Sequence, residues 1–308
     1  MHDLRRLRAF YAVAESGSFS AAANKLGYAQ SVVSHHVAAL EREFGLTLVN
    51  RATRPVSVTD AGARLLRHTA GVLGHVTAAE DELRAVAGLQ SGTLRLGAFL
   101  SACNSFVPAA LARFDSAHPE VEVRLEQLEE PEALRRLRSG DLDLAVVWRL
   151  WQPAEPGGQR RDEGFEQVHL ADDPYRVVLP ATHPLGRRRE LRLSDLAGER
   201  FNVPPAAGST LPYRTMLERL CAEAGFEPDI AYVVQDVTVA RAFVAAGLSV
   251  ALMPELTIPE PRADVVVRPV RDVNPFRSLY STWLRDRRVP SVAHMVRYLA
   301  DAAAARLA

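Results

Sequence analysis

The chain has 308 residues, 37 Lys/Arg against 37 Asp/Glu, 48% hydrophobic residues and two cysteines. Its length predicts about two or three domains, and its composition is that of a globular protein rather than a disordered one. Cys103 and Cys221 stand far apart, which excludes a disulfide framework or a C-x-x-C site, and no apolar run approaches the roughly 20 residues of a membrane span.

Arg5, Arg6 and Arg8 precede amphipathic sequence rather than an apolar signal region, so a cytoplasmic, reducing location is expected. Nine Lys/Arg against five acids give residues 1–68 a net charge of +4, so the remainder carries −4. A basic head on an acidic body points toward nucleic acid.

Leu4, Leu7, Phe10, Tyr11 and Ala14 recur at helical spacing and predict a first helix, ended by Gly17. Ser18 is a good N-cap for a short second helix, FSAAANKL. Its Ala22 and Ala23 admit close packing, and Phe19 and Leu26 anchor it. After the turn Gly27-Tyr28-Ala29, a third helix runs from about Gln30 to Phe44, with Val33, Val37, Leu40 and Phe44 as its apolar stripe. Gln30, Ser31, Ser34, His35 and Ala38 lie on the other side. That face is short or hydrogen-bonding and has no acid, which suits base edges and phosphates in a major groove. Taken alone, the helix could equally belong to a small bundle with a polar face. Leu46 and Leu48-Val49 then read as one wing strand, and Val56–Thr59 as the returning one. The turn between them places Arg51 and Arg54 beside the sugar-phosphate backbone.

Thr59 can cap a long helix from Asp60, in which Leu65, Val72, Val76, Ala79, Leu83 and Val86 keep a three-and-four spacing toward Leu89. Thirty residues make about 45 Å of helix. So long a seam cannot be buried on a small head, and pairing with a second copy is expected, with packing on the same chain's body as the alternative. A dimer would present two recognition helices to a pseudo-palindrome.

Beyond Gly92, strands and helices alternate. The pattern predicts strand Thr93–Gly97, helix Asn104–Phe114, strand Val121–Leu125, helix Pro131–Ser139 and strand Leu142–Val147. That rhythm implies a parallel sheet. A loop over Gln152–Gly164 follows. Strands Arg176–Leu179 and Phe201–Val203, helix Thr210–Ala224, strand Ile230–Val234, helix Thr238–Ala246 and strand Val250–Leu252 come next. Val265–Pro269 returns toward the first lobe, before strand Ser278–Leu284 and a last helix, Ser291–Leu307.

The run from Gly17 to Gly62 resembles the DNA-binding domain of LysR-type transcriptional regulators. It carries the G-S-F-x-x-A-A opening, the Q-S-x-x-S of the third helix, the following L-E, and L-x-x-R with T-x-A-G. The strings SGTLRLG, RSGDLDLAVV, PATHPL, AEAGFEP and VAAGLSVALMP resemble the same family's effector domains. The resemblance covers nearly the whole chain. It implies a fold of class α/β: an all-α-dominated winged helix-turn-helix over 1–59, a linker (dimerisation) helix over 60–90, and a body over 91–308. That body would be a two-lobed α/β fold like a type 2 periplasmic-binding protein, with lobe I about 91–168 and 268–308 and lobe II about 169–267. It also implies that Gln30, Ser31, Ser34 and His35 face double-stranded DNA, with Ser18 at the head of the motif and Arg51 and Arg54 on the backbone. Dimers through the linker helix, and commonly tetramers, come with the family. Ala29 departs from the usual Ser or Thr cap and His35 from the usual Arg, which predicts modest affinity per head.

In open α/β sheets, ligands bind beyond the carboxyl ends of strands. The loops so placed are Phe99–Asn104, Gln127–Pro131, Trp148–Leu150, Pro204–Thr210 and Asp236–Thr238. They nominate Ser101, Glu130, Trp148, Pro205 and Thr238 for a small-molecule effector. Ser101 matches a hydroxyl that binds effector in relatives. Glu129 and Glu130 would repel a carboxylate unless Arg149 or Arg214 answers them, so an uncharged or amine-bearing effector is expected; both acids could also be plain surface charge. Cys103 near a helix start could be a lowered-pKa redox thiol, although a small buried residue is the better reading. No catalytic motif, metal cluster or cofactor fingerprint is found. A solute-binding protein or an enzyme built on the two-lobed body is the competing reading. His118, His169 and His183 read as surface residues.

Overall fold

Helix α1 (Leu4–Ser16) begins where the Asp3 carboxylate accepts the Arg5 N–H at 2.9 Å, and ends at Gly17, whose left-handed φ of 61° lets its N–H return to Val13. Ser18 caps α2 (Phe19–Leu26) by accepting from Ala21. Helix α3 runs Gln30–Phe44 with Ala29 at its N-cap and no side-chain cap bond. Leu7, Phe10, Val13, Ala22, Ala23, Val33, Val37, Leu40, Leu48 and Val49 form the core of this three-helix head. Strands β1 (Val49–Asn50) and β2 (Ser57–Val58) pair antiparallel as a short wing.

The computed structural model describes residues 3–86, 92–150, 164–206, 211–258, 263–287 and 289–307. The predicted loop Gln152–Gly164 falls outside them except for Gly164, as do the last residues of the linker helix and positions 207–210.

Helix α4 (Asp60–Val86) spans 27 residues, about 40 Å at 1.5 Å per residue. Thr59 starts it in two ways: its hydroxyl accepts the Gly62 N–H at 3.1 Å and donates to the Thr47 carbonyl at 2.7 Å. The cap therefore also fastens the helix to the wing. Gly62 is required there, because a Cβ would lie within contact distance of the Leu48 carbonyl oxygen and 3.3 Å from Val58 Cβ. These residues form one compact unit with Leu134–Asp143 and Leu284–Val289. Within it, buried Arg287 pairs with Asp143 at 2.8 Å and donates to the Gly140 and Leu142 carbonyls.

The second unit comprises Thr93–Ala133, Leu144–Trp283 and Pro290–Ala308. Strands β3 (Thr93–Ala98), β4 (Glu122–Gln127) and β5 (Leu144–Leu150) run parallel, as the alternating pattern predicts. The whole sheet is mixed, because β11 (Phe276–Leu284) returns antiparallel against β5. The predicted helix Asn104–Phe114 is two helices, α5 (Leu100–Cys103) and α6 (Val107–Ala117). Pro108 in the first turn of α6 has no N–H to continue an earlier helix, so a new one starts there. Helix α7 is Glu130–Ser139.

Strand β6 (Phe165–Pro180) is far longer than the four residues predicted. It lies beside β11, and Tyr175–Pro180 pair antiparallel with β9 (Ala251–Pro254) and β10 (Val265–Arg268). One strand thus serves both lobes. Alternation along it sorts two cores: Val177 and Leu179 pack with Leu217, Leu252 and Phe201, and Val178 with Val244, Ala251 and Met253. The second lobe adds β7 (Arg200–Val203) parallel to β8 (Asp229–Val233), α8 (Leu211–Glu223) and α9 (Val237–Ala245). Helix α10 (Pro290–Leu307) buries Val292, Met295, Val296 and Leu299.

Candidate nucleic-acid interface and effector site

The third helix presents Gln30, Ser31 and His35 exposed, while Val33, Val37 and Leu40 are fully buried. Ser34 is half-buried, and its hydroxyl accepts from Arg51 Nη1 at 3.1 Å. Arg51 Nη2 binds the Glu41 carboxylate at 3.1 Å, and its guanidinium lies 5.0 Å over the Phe19 ring. The other Glu41 oxygen accepts the N–H groups of Leu48 (2.9 Å) and Val49 (3.2 Å). Glu41 and Arg51 therefore form a strut between the recognition helix and the wing, and Ser34 and Arg51 meet each other. Arg54 is exposed on the turn of the wing. Ser18 is half-buried and serves as the α2 cap. In the sequence the strut shows only as the L-E of the family pattern, which does not say what the carboxylate holds. Exposed Tyr28 and Val32, with His36 (6.2 Å from Tyr28 between ring centroids), also belong to this face, and no sequence motif marks them.

In the body, Ser101 and Trp148 converge on a residue that the sequence does not suggest. Buried Arg277, on β11, donates from Nη2 to Ser101 Oγ at 2.6 Å and from Nε to Asp173 Oδ2 at 2.8 Å. Its guanidinium lies 5.1 Å from the centroid of Phe99 and 5.3 Å from that of Trp148. Asp173 is wholly buried, and its second oxygen accepts the Leu256 N–H at 3.1 Å. Burial pushes the Asp173 carboxyl above the usual carboxylate range, opposed by the Arg277 charge and the two hydrogen bonds. Pairing the two charges with each other is what makes their burial tolerable.

Glu130 is answered by Arg149, with Nε 3.4 Å from Oε1. Arg214 is engaged elsewhere, with Glu218 one helical turn on. Thr238 is exposed in the first turn of α9, where the Asp236 carboxylate accepts both its N–H (2.7 Å) and that of Val239 (3.2 Å). These bonds hold the Asp236 carboxyl below the usual range. Pro205 follows β7 in the second lobe. Cys103 lies in a helix of only four residues, too short to lower its pKa. Burial, with the Glu129 charge, raises its thiol instead. His118, His169 and His183 each lie beside a carboxylate, Glu120, Asp172 and Glu199 respectively. Among the described residues, no group of three His, Cys, Asp or Glu side chains could hold a metal ion, and no helix is long and apolar enough to cross a membrane.

A winged three-helix head, a long helix and a two-lobed α/β body define a helix-turn-helix transcription regulator that carries a ligand-binding module. The model described as "Bacterial regulatory helix-turn-helix protein, lysR family" matches residues 4–63, and that described as "LysR substrate binding domain" matches residues 87–304. The chain belongs to the LysR family of transcription regulators. The HTH-type transcriptional regulator ShiR of Corynebacterium glutamicum (strain R) is 35% identical over 253 residues, covering 81% of this chain and 82% of that protein. The hydrogen peroxide-inducible genes activator of Dickeya chrysanthemi is 28% identical over 260 residues, 84% of this chain and 81% of that one. A full-length OxyR variant from Pseudomonas aeruginosa shares the fold, with a TM-score of 0.72 over 98% of this chain and 95% of that chain at 21% identity.

Proposed function

We propose that this regulator binds operator DNA in the cytoplasm as a dimer or tetramer paired through α4, and that an effector between the lobes of its body tunes that binding. The observation that carries this reading is the exposed, acid-free face of Gln30, Ser31 and His35 on a helix braced to a basic wing. In this reading residues 1–59 are the head, 60–90 the linker and 91–308 the effector body, with lobes at about 91–168 with 268–308 and 169–267. The groove is read by Gln30, Ser31 and His35, with Ser34 at its edge, and Arg54 holds phosphate. Arg51 acts chiefly by fixing the wing, and Ser18 by starting α2. Val72, 44% exposed on the seam of α4, supports pairing along that helix.

The effector is uncharged or amine-bearing. Arg277, the cation nearest Ser101, is already paired with Asp173, and the α9 N-terminus is already occupied by the Asp236 carboxylate. Ser101, Trp148 and Glu130 would meet it from one lobe, Pro205 and Thr238 from the other. Closing the lobes would change how the paired heads are spaced, provided the effector prefers one state. The body works as a receptor, not as an enzyme. A peroxide-sensing thiol is no part of this reading, since burial raises both Cys103 and Cys221, the latter to about 11.

Gel shift with the DNA upstream of the protein's own gene tests the core of this reading. A saturable shift that survives nonspecific competitor is expected, and Val72→Glu should weaken it at equal protein concentration. Absence of any specific shift, together with turnover of a bound compound, would make the body an enzyme instead. Titration with a panel of amines, neutral compounds and acids tests the effector; tight binding of a simple dicarboxylate that depends on Arg277 would overturn an uncharged or amine-bearing ligand.

A further inference from the structure

The recognition helix carries one apolar side chain where its neighbours are all hydrogen-bonding. Val33 and Val37 are fully buried, but Val32 is 40% exposed. At 100° per residue, Val32 and Ser34 flank the outward positions Ser31 and His35 on opposite sides. The Ser34 flank is closed by Arg51, which bonds it at 3.1 Å. On the Val32 flank stands His36, one turn on, with the ring of Tyr28, 43% exposed, at 6.2 Å from its own. Between Gln30 and Leu40 the helix holds neither acid, Lys nor Arg, and the head around it carries nine Lys/Arg against five acids. A surface of this charge fits DNA, and residues in the first turn of such a helix are the ones that reach base edges.

Valine has no donor or acceptor, so on a base edge it can select only by shape and apolar contact. The one apolar group in the major groove is the thymine 5-methyl. We propose that Val32 is a specificity residue that packs on the 5-methyl of one thymine in each half-site. The proposal rests on the DNA-binding reading above and adds to it a residue and the chemical group it reads.

The test uses the full-length protein. A duplex is first selected from a random library, and each thymine in it is then replaced by deoxyuridine, which removes only the methyl group. Affinity is followed by fluorescence anisotropy for wild type, Val32→Ala and Val32→Ser, with melting curves to verify folding. For wild type, one symmetry-related deoxyuridine position should weaken binding about fourfold per half-site, the worth of one buried methyl. Both variants should lose that penalty while keeping any penalty at other thymines, and reselection with Val32→Ser should no longer enrich thymine there. A deoxyuridine penalty that persists undiminished in the variants, or no penalty at any thymine, overturns the role of Val32 and leaves DNA binding intact. Failure of the library to enrich any site overturns the DNA-binding reading and this proposal with it.

Discussion

Gly62→Ala tests how the wing is held on the linker helix. The added methyl would sit against the Leu48 carbonyl, 3.0 Å from its carbon, and 3.3 Å from Val58 Cβ. The wing backbone would have to retreat by about 1 Å to restore ordinary contact distances. That segment is tethered at both ends: Leu48 O accepts the Thr59 N–H at 3.0 Å, and Leu48 N donates to Glu41 at 2.9 Å. Overpacking costs about 1–3 kcal/mol, and a half-buried peptide group robbed of its partner costs about 1–3 kcal/mol. Alanine's helix propensity returns about 1 kcal/mol. The balance is a loss of about 3 kcal/mol in the head, so amides of α1–α3 should exchange hydrogen roughly 100-fold faster in the full-length protein. Gly71→Ala in the same helix meets no atom within 4 Å and should be neutral or gain about 1 kcal/mol. Unchanged exchange in Gly62→Ala, or equal changes in both variants, would refute the reasoning.

Removing one partner of the buried pair, as in Arg277→Met, should cost the body about 3–5 kcal/mol, whereas Asp173→Leu with Arg277→Met together should cost far less. Denaturant unfolding followed by tryptophan fluorescence decides this, and equal losses in single and double variants would refute it. Asp236→Ala should speed exchange of the Thr238 and Val239 amides, and Asp236→Asn should preserve most of their protection. Because the folded Asp236 carboxyl is held below its unfolded value, the charge-assisted part of the cap is complete above about pH 4 and is lost as pH falls through the depressed value. The protection factors of these two amides, measured against the intrinsic rate at each pH, should therefore fall on acidification and stay level above that range. Buried Cys221 and half-buried Cys103 should alkylate at least about tenfold more slowly in the native protein than in the denatured one at pH 8; fast native labelling would contradict the raised thiols.

The head was legible because local signals govern it. The bounds of α3 follow from its periodicity and the start of α4 from Thr59, as the sequence implies. What escaped was set by distant partners. Arg51 reads as a free phosphate clamp until Glu41 and Phe19 are found beside it. Strand β6 is expected only over Arg176–Leu179, yet it runs from Phe165, and there Asp173 meets Arg277 and Asp172 accepts the Ser278 hydroxyl, each more than 100 residues away. Ser101 and Trp148 are nominated by their loops, but the arginine between them lies one residue before the strand predicted from Ser278, and nothing local marks it. Glu130 could not be judged without Arg149, which answers it across 19 residues of sequence.

The Asp173–Arg277 pair also constrains how this chain can diverge. The two codons lie 104 positions apart, so ordinary single-nucleotide change must alter one partner before the other. The intermediate strands a charge in the interior and forfeits about 3–5 kcal/mol, a large part of what a domain possesses. Descendants that replaced both residues by apolar ones could fold as well, but the route to them crosses a valley. The pair is held in place by the depth of that valley more than by any superiority over its alternatives, and a lineage that acquired it would be slow to lose it.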